Sequence, residues 1–167
     1  MLEYWHKRPL EEASLFNPAF LGSLIHEFSK ETYKHKSNGA PLTYIPIVLA
    51  IALHSKTRAR LPYSTVTSLY EWIQGNEDLL IGFSNRVKWL RPYWQEAIRF
   101  GLMRHTLNLA EGHLLFVGDT KAHFPAKFIL ETSSETKEII ERTKFLARWF
   151  AKSGSESTII AAWGIKI

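Results

Sequence analysis

The sequence predicts a mainly α-helical chain with one small β-hairpin, an α+β domain spanning 1–167. Within it, a winged-helix-like core covers about 18–117 and a helical C-terminal segment about 131–164. Three observations lead there. Apolar residues recur at three- and four-residue spacing through most of the chain, as a helix with one buried face requires. Between Leu107 and Val117 that spacing gives way to alternation around a Glu111-Gly112 turn, the pattern of a hairpin. Hydrophobic residues make up 46% of the chain against 22% charged, enough to bury a real core instead of staying disordered.

Asn17-Pro18 sets a good capping residue before a proline suited to the first helical position. Phe20, Leu21, Leu24, Ile25 and Phe28 follow at helical spacing and predict a helix over about 18–34. The segment 34–41, with Asn38-Gly39, breaks it. A strongly apolar helix over about 42–54 comes next and ends where Lys56, Arg58 and Arg60 precede Leu61-Pro62. From Ser64 the chain reads as a helix through Val66, Leu69, Tyr70 and Ile73, stopping at Gly75-Asn76. Ser84 is placed to cap a helix carrying Val87, Trp89 and Leu90. Pro92 then opens or kinks a helix on which Trp94, Ala97, Ile98, Gly101 and Leu102 form one face. A helix running straight into a hairpin is the back half of a winged helix, with the earlier helices as its front half. Residues 118–130 lack periodicity and read as a loop. Thr132 and Glu135 have capping-box spacing before a long helix to about Lys152, and 158–163 reads as a short last helix.

Several function classes are excluded or disfavoured by what is missing. Without cysteine there is no disulfide, thiolate zinc site or iron–sulfur cluster, and the cytoplasm is the expected compartment. The N-terminus lacks the basic and apolar order of a signal peptide, and the most apolar stretch, 42–53, is shorter than the roughly 20 residues that cross a bilayer. No phosphate-binding glycine loop, serine elbow or His-Glu-x-x-His pair occurs, and Asp78 and Asp119 are the only aspartates. The expectation is no catalytic residue, no metal and no cofactor; Asp119, Lys121 and His123 read as a solvated turn.

Charge and aromatic content are more informative. Lys and Arg number 21 against 16 acids, a formal charge of +5. Arg86, Lys88, Arg91, Arg99 and Arg104 crowd into 80–110 with Glu96 as the single acid. They are candidate DNA-binding residues, in the place where a winged helix would set its recognition helix, although a solvated face or an acidic protein partner would use the same charges. The 6 Trp, 6 Tyr and 10 Phe mostly suit a core. Tyr4, Trp5 and Trp163, however, lie in terminal segments that look too short to bury them, so they are candidate partner anchors, with internal packing the alternative.

Short motifs carry a family resemblance. Arg8-Pro9 and Phe16-Asn17-Pro18-Ala19-Phe20 come first, then Ser68-Leu69-Tyr70-Glu71-Trp72-Ile73. Phe145-Leu146-Ala147-Arg148-Trp149-Phe150 and Ala162-Trp163-Gly164 close the series. In this order they resemble the middle component of three-component ABC systems and the small subunit of Lamassu anti-phage systems. The resemblance makes Asn17, Pro18, Trp72, Arg148, Trp149, Phe150 and Gly164 candidate structural or interface residues. It implies a non-catalytic accessory subunit between an SMC-like or Rad50-like ABC ATPase and an effector, often a nuclease. DNA sensing would be coupled to effector activation, with double-stranded DNA reached through the complex and no membrane involved. The alternative from the residues themselves is a stand-alone winged-helix transcription regulator.

Overall fold

A computed structural model of the chain describes residues 2–166. After a 3-10 turn at Trp5–Lys7 come α1 (Leu10–Leu15), α2 (Pro18–Lys36), strand β1 (Ala40–Pro41), α3 (Tyr44–Ala52), α4 (Ser55–Arg60) and α5 (Leu69–Gln74). A second 3-10 turn, Glu77–Leu80, leads to α6 (Phe83–Trp89) and α7 (Arg91–Met103). The hairpin β2 (Leu107–Ala110) and β3 (Leu114–Val117) follows, then α8 (Ala126–Glu131), α9 (Ser134–Ala151) and α10 (Glu156–Ala162). Among the described residues no helix is long and apolar enough to cross a membrane.

Helix α2 is the organiser. The Asn17 side chain accepts from the Ala19 amide at 2.8 Å, satisfying an orphan donor, and Pro18 occupies the first turn where its missing N–H costs nothing. Leu21, Leu24, Ile25 and Phe28 form the buried stripe the spacing predicts, packed against α7, α9 and β3. Helix α3 buries every residue except Pro46, so its apolar run has no polar face. On α7, Ala97, Ile98 and Gly101 point inward. A Cβ on Gly101 would come within 2.6 Å of the Leu107 side chain, so the glycine lets β2 lie directly on the helix that precedes it.

The hairpin forms with Leu109 opposite Leu115 and Ala110 opposite Leu114. A third strand joins it: β1 pairs antiparallel with β3, giving the order β1-β3-β2. The segment 34–41, read from sequence only as a break, thus closes the sheet. The approach is close, since a Cβ on Gly39 would fall 2.6 Å from the Phe116 ring.

Elsewhere the structure corrects the sequence reading. The helix expected from Ser64 starts only at Leu69. Thr65, Val66 and Thr67 are β-branched and disfavour helix, and the Thr67 carbonyl instead accepts from Trp149 Nε1 of α9 at 2.8 Å. Ser84 lies inside α6, whose N-terminal flank is Gly82 in the left-handed region. The stretch 118–130 is not all loop, because α8 occupies its end. The cap of α9 is Ser133, one residue later than the capping-box spacing, accepting from Thr136 N at 3.1 Å.

Helix α9 is tied to the front of the molecule by apolar packing on α2 and α3 and by Arg58 of α4. The buried Arg58 guanidinium donates to Glu138 and Glu135 at 2.9 Å each and to the Ala52 carbonyl at 2.8 Å. Burial of a charge is tolerated there because all three donor nitrogens are engaged.

Candidate functional site

Positions 91, 95, 99 and 103 of α7 repeat every four residues and so share a face. Arg91, Arg99 and Met103 are exposed on it, with Gln95 half-buried, away from the Ala97, Ile98 and Gly101 stripe. Arg104 closes the same helix and Lys88 stands exposed on α6. Arg86 is the exception among the five predicted DNA-contact residues. It is half-buried, its guanidinium carbon 5.6 Å above the Phe83 ring and Nη1 3.5 Å from the Ala50 carbonyl. Burial also lowers its pKa. Arg86 therefore leans on the core and is separated from the surface set.

Glu96 is the one acid placed to offset this charge, and it is engaged by Arg8 from near the N-terminus. Arg8 Nη1 and Nη2 form a fork with Glu96 Oε2 and Oε1 at 2.8 and 2.7 Å, and Arg8 Nε donates to the Glu3 carbonyl at 2.9 Å. The bond to Glu96 raises the Arg8 pKa. With the one acid of the stretch taken, Lys88, Arg91, Arg99 and Arg104 have no ion-pair partner among the described residues. Sequence reasoning missed the Arg8 role; its only signal was that Arg8 opens a family-like motif. Tyr93 adds a second tie, its hydroxyl donating to Glu12 at 2.9 Å, and burial together with that bond pushes the phenol pKa up to about 12.

Of the three terminal aromatics, two remain accessible. Tyr4 is 76% and Trp5 49% exposed, and Tyr4 stacks on His6. Trp163 is a correction, being 1% exposed with its ring centroid 5.0 Å from Phe83 and 5.7 Å from Trp72. Gly154, at φ 96°, turns the chain after α9 so that α10 folds back. Ile159 and Ile160 of α10 then supply an apolar face that carries the indole into the core.

The other motif residues do local structural work. Asn17 and Pro18 start α2. Trp72 and Trp149 are buried edge to face at 5.6 Å, and Trp72 Nε1 donates to the Arg60 carbonyl at 2.8 Å. Phe150 packs against Tyr44, half-buried Arg148 reaches Glu31 at 3.4 Å, and Gly164 takes a positive φ of 68° that ends α10. Asp119, Lys121 and His123 are exposed on the segment before α8, and among the described residues no three His, Asp or Glu gather as metal ligands would.

The chain matches the family model of the ABC-three component (ABC-3C) system Middle Component 3 over residues 5–167, and it belongs to that family. No curated protein and no solved structure matches it.

Proposed function

We propose, from the chain's membership in the Middle Component 3 family, that it is a non-catalytic accessory subunit joining an SMC-like or Rad50-like ABC ATPase to an effector, often a nuclease. The setting is a cytoplasmic anti-phage assembly similar to Lamassu, in which the α6–α7 surface contacts double-stranded DNA and helps couple DNA sensing to effector activation. One observation carries the DNA part of the reading. Arg8 holds Glu96, and Lys88, Arg91, Arg99 and Arg104 have no acid partner among the described residues. An uncompensated basic surface attracts phosphate and releases counterions on binding. The exposed Tyr4 and Trp5 support a protein contact at the N-terminal arm.

The test is reconstitution with the ATPase and effector components of the same system. Replacing Lys88, Arg91 and Arg99 with Glu is expected to weaken DNA binding by the assembled complex and flatten its salt dependence. Unchanged affinity and slope with assembly intact would remove the DNA role. Purified alone, the chain is expected to turn over no ATP and cut no DNA with magnesium or manganese. An activity that persists through purification and disappears in Asp119→Ala would overturn the non-catalytic role.

The sheet order β1-β3-β2, with α7 leading straight into the hairpin, favours a second reading, the stand-alone winged-helix regulator. That protein would be a stable DNA-binding homodimer by itself, whereas the accessory subunit copurifies with a large ATPase.

A further inference from the structure

Helices α1 and α8 are six residues each, shorter than helices stable on their own, and between them they bury only Ala13. With the N-terminal ends of α2 and α9 they frame a groove of about 400 Å³. Its apolar lining is Leu15, Phe20, Phe128 and Ile139, of which Leu15 and Phe128 remain 43% and 39% exposed. Leu10, one turn before the groove residue Ser14 on α1, is exposed on the same face of that helix. Leu15 and Phe128, both exposed beside one groove, are apolar side chains that a docked partner would cover.

The charge on the rim says what docks there. Among the described residues the lining includes Glu11 and Glu135 and no cation. Glu11 makes no ion pair among the described residues, and Glu135 keeps a largely exposed carboxylate while bonding Arg58. Nucleic-acid phosphates and anionic headgroups are repelled by this rim, whereas lysine or arginine beside an apolar face complements it. We propose that the groove binds an amphipathic, lysine- or arginine-flanked segment of a partner subunit of the ABC-three component assembly. The segment lays its apolar side chains on Leu15, Phe20 and Phe128, over a floor formed by buried Ile139, and sets a basic residue against Glu11. Leu10 on the same face of α1, one turn from Ser14, would give a docked helix an anchor on a successive turn that a small molecule could not use. This inference rests on the bridging reading above and names one of its docking faces.

The experiment is pull-down and titration of the full chain against the ABC ATPase and the effector of its own system, each produced separately. Leu15→Ser combined with Phe128→Ser is expected to weaken binding to one of the two at least tenfold and leave the other unchanged. Glu11→Lys, at an exposed position, should weaken the same partner several-fold, more at low salt than at high, and thermal unfolding checks that each variant folds. If the double variant unfolds, Glu11→Lys alone decides. Undiminished binding of both partners by the folded variants overturns the groove proposal and leaves bridging intact. A wild-type chain that binds neither partner overturns both. A wild-type homodimer that the groove variants convert to monomer assigns the groove to a second copy and overturns the heterologous occupant.

Discussion

Both ends of the chain carry tryptophan, and the two ends are held by opposite means. At the C-terminus, Trp163 is carried into the core by a helix that brings its own apolar face, Ile159 and Ile160, and it packs among Phe83 and Trp72. At the N-terminus, Trp5 sits in a three-residue 3-10 turn that buries nothing. That arm packs the partly buried Leu2 and Phe16 on the core, and polar chemistry pins it: the Arg8–Glu96 fork and the Tyr93–Glu12 hydrogen bond, both reaching α7. An aromatic near a terminus is thus buried when a neighbouring helix stripe supplies area. It is left outward when the anchor is a charged fork, because a fork fixes position without enclosing its neighbours.

Four measurements would break or sharpen this contrast. The largest effect is expected from Trp163→Ala, which empties a fully enclosed ring and should cost about 3–5 kcal/mol in denaturant unfolding. A loss under about 1 kcal/mol would mean that α10 is not part of the core. Next, Arg8→Met removes the hydrogen bonds to Glu96 and should cost about 1–3 kcal/mol. A double-mutant cycle with Glu96→Gln should return a coupling energy that a mere packing role for Arg8 would not produce. Trp5→Ala should change stability by less than about 0.5 kcal/mol while reducing copurification with the partner subunits, since an exposed side chain supports little of the fold.

The smallest effect is a pH dependence set by two partly buried histidines that belong to neither end. His54 caps α4, its Nδ1 accepting from the Thr57 amide at 3.3 Å. Burial, aided by Arg86, Lys56 and Arg58, lowers its pKa. His26 is also lowered by burial, with Lys30 and His123 adding to it and Glu27 opposing. Both groups favour the neutral form when folded. Their contribution is therefore complete above the ordinary histidine value of 6.5 and falls as the pH drops from there through the lowered folded values. Unfolding midpoints at pH 7.5 and 5 should show the decline, and His54→Asn, which retains a capping oxygen, should shrink it. An equal decline in that variant would place the titration elsewhere.

Local pattern by itself determined α2, α3, α7, the hairpin and α9. In each, several successive residues obey one period, and the cap of α2 at Asn17-Pro18 lies next to the helix it starts. It also carried the family, since the motifs from Arg8 to Gly164 are contiguous words in the chain. Tertiary structure alone decided what joins distant positions. The Arg8–Glu96 fork spans 88 residues, Arg58 meets Glu135 and Glu138 some 80 residues on, and β1 finds β3 across the helices α3 to α7. It also decided that 64–68 would be a turn under Trp149, that α8 would form beside the Phe20–Phe124 contact, and that Trp163 would go inside while Trp5 stayed out. The reason is physical: a period records which face of a segment is apolar, but whether that face or a single charge finds a partner depends on which other segment the fold brings within a few ångströms.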